Sequence, residues 1–199
     1  MQPITPLPES LAALDVTLVN LWLPILLSAI AVFMVSSIVH MVLPLHKKDT
    51  RKLPHEDQAL EVLRQKPMPP GEYMFPFPPS MKEMGSPEML AKFKQGPVGV
   101  LIVQPNQPIN ICKSLAQWMV LCLVVSLFTA YGASIALITA DSAMNVFRLT
   151  FTLSFLGYAI SSVQDSIWKG VPWCTTAKYI VDGILYAAAT AGMFTWLWP

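Results

Sequence analysis

The sequence predicts an all-α membrane protein of four transmembrane helices, one separate from a compact three-helix unit, with a mostly irregular, Pro-rich loop on the cytoplasmic side. Three observations predict it. Four apolar stretches, at 18–45, 115–139, 146–163 and 179–197, are each long enough or nearly long enough to cross a bilayer as a helix. The composition, 54% hydrophobic and 13% charged over 199 residues, excludes a soluble enzyme and leaves no room for a second large domain. Of the 13 Lys and Arg, ten lie between the first and second stretches and none precedes the first. Basic loops stay on the cytoplasmic side, so both termini are expected outside and the protein is placed in a bacterial-type inner membrane.

Residues 1–17, with Pro3, Pro6 and Pro8, read as an irregular outer tail. The first apolar stretch lacks a basic leader and exceeds a signal-peptide core in length, so it is expected as a retained helix. Asn20 and Pro24 fall in its first turns, where proline is tolerated because early helical N–H groups have no partner. Its bulky Leu, Ile, Val, Phe and Met faces suit lipid or a large partner, which sets it apart from the other three helices.

The loop at 46–114 opens with Lys47, Lys48, Arg51 and Lys52, each worth about 1 kcal/mol beside anionic headgroups. A short helix is expected over 55–66, with Leu60 and Leu63 as its apolar stripe. The run at 67–79 holds six prolines, which remove donors and fix φ, so extended polyproline-like backbone is expected there, displaying Tyr73, Phe75 and Phe77. Ser86-Pro87-Glu88 is a helix start and Gly96-Pro97 a stop, with Met89, Leu90 and Phe93 on one face. Residues 98–103 read as a short β-like strand that Pro105 ends. A solvated linker would not carry so many aromatic, Met and β-branched residues, so the loop is expected to dock on a partner or on the membrane surface, the Pro/aromatic run suiting a protein groove.

The unit at 115–199 carries small residues every fourth position: Ser126, Ala130 and Ser134 in the second span, Gly183, Ala187 and Ala191 in the fourth. Such ladders let membrane helices approach closely. Ser154, Gly157 and Ser161 make a third small face. At the inner ends of the third and fourth spans, Asp165/Lys169 and Lys178/Asp182 are i,i+4 pairs. Asp182 lies a turn inside its span, where a carboxylate requires a partner. Together with Trp168 and Trp173 as interfacial anchors, these residues read as an ion-paired clamp across the connection.

Catalytic chemistry finds little support. His40 and His46 sit at or just beyond the inner end of the first span and His55 in the loop, so a paired-His haem site is not expected. Met34 and Met41 read as packing rather than copper ligands. No metal site, catalytic residue or cofactor is assigned, although lipid or pigment between helices stays open. Cys112, Cys122 and Cys174 form no metal or disulfide motif, and Ser161 and Ser162 have no neighbouring base. The expected function is an accessory or assembly subunit of a larger membrane complex, with other integral subunits and lipids as partners and no nucleic acid. The alternatives are a small transporter or channel-like protein using Asp182 and Lys178, and a lipid-modifying membrane enzyme.

Overall fold

The computed structural model describes residues 15–139 and 141–199. The expected outer tail thus falls mainly outside the described residues. The chain is mostly helical, at 66%. Four long helical segments carry it. The first is α1 (Trp22–Ser37), extended by a π-helical turn (Ile38–Val42). A lobe follows, with helices α2 (Glu56–Arg64), α3 (Met81–Met84) and α4 (Pro87–Gln95) and strands β1 (Gly71–Phe75) and β2 (Gly99–Val103). Then come α5 (Ile111–Ala136), α6 (Ala143–Phe155) continued through a π-helical turn (Leu156–Ile160) into α7 (Ser162–Lys169), and α8 (Trp173–Trp196). Three segments, Trp22–Val42, Ile111–Ala136 and Ala143–Lys169, are long and apolar enough to cross a membrane. Helix α8, whose first half carries Lys178 and Asp182, is not among these three.

The helices form a ring in which α1 packs on α5 and α8, and α6 packs on α8 and α5. This corrects the expected arrangement of one separate helix beside a three-helix unit. The reason lies in a narrow face of α1 made of Pro24, Ser28, Ala29, Val32 and Ser36, all buried. Small side chains on that face allow close approach, and two polar contacts fix it: Ser28 Oγ donates to Ser126 Oγ at 3.0 Å, and Trp118 Nε1 donates to Ser36 Oγ at 2.8 Å.

The small-residue ladders fare unevenly. Gly183, Ala187 and Ala191 are all buried on α8, and Ser126 and Ala130 are buried on α5. Ser134 turns partly outward, and Ala133 takes its place on the packed face. On the third segment the buried row runs Val146, Thr150, Ser154 and then Ala159. The π turn inserts one residue into the four-residue rhythm, which moves the face to Ala159 and leaves Gly157 and Ser161 off it.

In the lobe, β1 pairs antiparallel with β2, Gly71 opposite Val103 and Phe75 opposite Gly99. The Pro-rich run therefore contains a strand, where polyproline-like backbone was expected. Its prolines flank the five residues that need ladder hydrogen bonds and so do not interrupt them. Helix α4 has the expected start, with the Ser86 hydroxyl accepting from Met89 N–H at 3.2 Å, and ends at Gly96, whose φ of +63° favours glycine.

Candidate polar site at the helix ends

Lys178, Asp182 and Tyr186 are spaced i, i+4, i+8, so they stand in one row along α8. Facing this row is the end of α1 with the segment after it, running the opposite way. His40 lies in the π-helical turn, His46 in a 3-10 turn (Pro44–His46) and Asp49 just beyond. Three rungs join them. Tyr186 Oη lies 3.1 Å from His40 Nε2, Asp182 Oδ2 lies 2.9 Å from His46 Nε2, and Lys178 Nζ pairs with Asp49 Oδ1.

This corrects the expected Lys178/Asp182 pair. Lys178 reaches away from Asp182, donating to the Leu45 carbonyl at 2.8 Å as well as to Asp49. A carbonyl and a carboxylate together satisfy more of the ammonium's donors than one carboxylate would. Asp165 and Lys169 do pair, at 3.5 Å, and Lys169 Nζ also lies 3.4 Å from Glu72 Oε2 of β1, which ties the helix end to the lobe.

The middle rung has unusual geometry. Asp49 Oδ2 lies 2.7 Å from His46 Nδ1, and an ionised carboxylate can only accept, so Nδ1 carries the proton. Lys178 holds the Asp49 carboxyl below the usual carboxylate range, with His46 adding to the effect. In neutral His46, Nε2 then presents a lone pair. It faces Asp182 at 2.9 Å, yet His46 Nε2 and both Asp182 oxygens are buried with no hydrogen-bond partner. The Asp182 side chain is only 3% exposed. The His46 ring is held flat between His40, at 4.4 Å between centroids, and Tyr179, at 5.5 Å. His40, His46 and Asp182 each offer a ligand atom within 4.8 Å of the others.

A cavity of about 510 Å³ opens onto this cluster between the helices, lined by His40, Asp182, Tyr186, Trp118, Tyr158 and Asp165 among others. Trp118, Tyr158 and Tyr186 pack on one another at 5.6 to 6.3 Å.

Of the residues expected to dock, Tyr73 and Phe75 line one groove beside α2, and the other four are not part of it. Tyr73 is half-buried and its hydroxyl donates to the Pro69 carbonyl, while the Phe75 ring covers Gly99, where an added Cβ would stand 2.9 Å from it. Phe77 is exposed. On α4, Met89 is buried and Phe93 half-buried, whereas Leu90 points outward, so the three do not form one face. Sequence reasoning passed over His40, His46 and Asp49 as members of this site. The readable signal was the i, i+4, i+8 row of Lys178, Asp182 and Tyr186, which demands a polar counterpart.

No family model matches the chain, and comparison with curated proteins and with solved structures finds no match. The class of protein is therefore defined by the fold itself: a mostly helical protein in which, among the described residues, three helices are long and apolar enough to cross a membrane.

Proposed function

We propose that the protein is an accessory or assembly subunit of a larger integral membrane complex, held in a bacterial-type inner membrane by four spans that include α8. The basic lobe faces the cytoplasm and both termini face outward. One observation carries this reading. Between α2 and β1 the lobe presents a groove of about 690 Å³ lined by Leu53, Val62, Leu63, Met68, Met74 and Phe75, with further apolar neighbours. Val62 and Met74 are exposed in the chain alone, and an apolar groove of that size suits an apolar segment of another subunit. Lipid fills the shallower apolar grooves between the helices.

In the transporter alternative, Asp182 and Lys178 would act through the cluster they share with His46 and Asp49 rather than through each other. Co-purification from gently solubilised membrane tests the subunit reading. The protein is expected to bring stoichiometric membrane partners, and Val62→Glu with Met74→Glu is expected to release them while leaving membrane insertion intact. Loss of about 1–4 kcal/mol is typical when an interface anchor is removed. A monodisperse homo-oligomer without partners, unchanged by the double substitution, overturns the reading.

A further inference from the structure

We propose that His40, His46 and Asp182 form a binding site for a divalent first-row transition ion of the zinc or ferrous class, independent of whatever the lobe docks onto. Two imidazoles and a carboxylate are the donor set such ions take, and three protein ligands leave a position open.

The geometry gives four supports. First, His46 Nε2 and Asp182 Oδ2 are buried, 2.9 Å apart and not hydrogen-bonded. A divalent ion beside both atoms would offset the burial of the Asp182 carboxylate and give both atoms a partner. Ligands about 2.0–2.2 Å from one ion and about 90–110° apart stand about 2.8–3.6 Å from each other, so this edge has the right length. Second, His40 Nε2 lies 3.7 Å from the same Asp182 oxygen and the three ligand atoms fall within 4.8 Å, so an ion held here would take the place of the Tyr186 hydroxyl on His40 Nε2. Third, the carboxylate of Asp49 accepts from His46 Nδ1 at 2.7 Å, and Asp49 is itself anchored by Lys178. That carboxylate–histidine arrangement fixes the tautomer and ring orientation a metal requires, with Asp49 as the positioning residue. Fourth, the cavity beside His40 and Asp182 gives the open coordination position an approach from between the helices, as a site that receives a small ligand needs.

The test uses full-length protein in detergent, purified without a polyhistidine tag in a Cys112→Ser, Cys174→Ser background, because both thiols are exposed. Bound metal is measured by mass spectrometry. After chelator treatment, Zn²⁺ alone is titrated while thermal stability is followed. About one ion per chain is expected, with a Zn²⁺-dependent rise in melting temperature. His46→Gln and Asp182→Asn are expected to lose both, and Asp49→Asn to bind about 10–100-fold more weakly. Should Asp182→Asn fail to fold, His40→Gln decides, since that side chain is 42% exposed: weakened Zn²⁺ binding supports the site and unchanged binding overturns it. Protein that carries no ion and gains no stability from Zn²⁺ would show an imidazolium–carboxylate pair only, and the proposal would be wrong.

Discussion

Lys178 and Asp182 lie one helical turn apart on the same face of α8, yet Lys178 pairs with Asp49, and Asp182 is left to the two histidines. A helix that sends its cation to one end of a neighbouring segment and its anion to the middle of it is clamped in register as well as held. Each rung joins residues far apart in the chain, with separations of 129 for Lys178–Asp49 and 146 for His40–Tyr186.

The first prediction concerns that register. Lys178→Met leaves the Asp49 carboxylate, 11% exposed, without its cation, so thermal stability is expected to fall. Adding Asp49→Asn removes the orphaned charge and is expected to recover part of the loss. Additive losses in the double variant, measured by melting in detergent, would mean that the two side chains do not interact.

Helix approach gives a second test. A Cβ on Gly183 would stand 2.5 Å from the Ala159 Cβ and 3.0 Å from its Cα, so backbone must shift to admit it. Gly183→Ala is expected to destabilise by about 1–3 kcal/mol, as overpacking usually does. Ala159→Gly in the same chain removes the nearest atom and should restore much of the loss. A Gly183→Ala protein with an unchanged melting temperature would contradict the close crossing.

The α5–α6 connection supplies a pH dependence. The Asp141 carboxylate accepts from Ile138 N–H at 2.8 Å and from Asn145 Nδ2 at 3.1 Å, and the backbone bond first, then the side-chain bond, holds its carboxyl below the ordinary 3.8. A depressed folded value means that the stabilisation is fully present above the unfolded value and fades as pH falls through the folded one. Asp141→Asn is therefore expected to melt below the parent at neutral pH, with the gap narrowing as pH drops beneath about 4. A gap that stays constant down to pH 3 rules the bonds out as its source.

The orientation proposed for the lobe is open to chemical labelling. Cys112 and Cys174 are both exposed free thiols at the end of the bundle that carries the lobe. An impermeant thiol reagent is expected to reach them only after the membrane is permeabilised. Strong labelling of intact cells at either position would invert the topology and, with it, the side on which partners are sought.

Much of the secondary structure was legible in the sequence because local chemistry dictates it. The apolar runs predicted the long helices, Ser86 and Gly96 marked the ends of α4, and the β-branched run at 98–103 became β2. Strand β1 was hidden because prolines on both flanks dominate the reading of 67–79, although the five residues between them are free to pair. The packing of α1 was hidden for a different reason. Ser28, Ala29, Val32 and Ser36 form a face only one residue wide in a helix otherwise bulky, and an average over the stretch conceals it. The polar site was half legible: the row on α8 could be read from spacing, but its counterpart depends on how the chain turns after α1, which no local rule gives.

The π-helical turn at Ile38–Val42 makes the site sensitive to chain length in a way its side chains do not reveal. An α-helix advances about 100° per residue, so removing one residue from this turn and restoring regular winding would swing everything beyond it by about that angle. His40 and the stem bearing His46 would then leave the side of the bundle where Asp182 waits. The constellation is thus encoded by the count of residues between α1 and the lobe as much as by their identity, and a chain keeping every ligand but one residue shorter there would keep the parts and lose the centre.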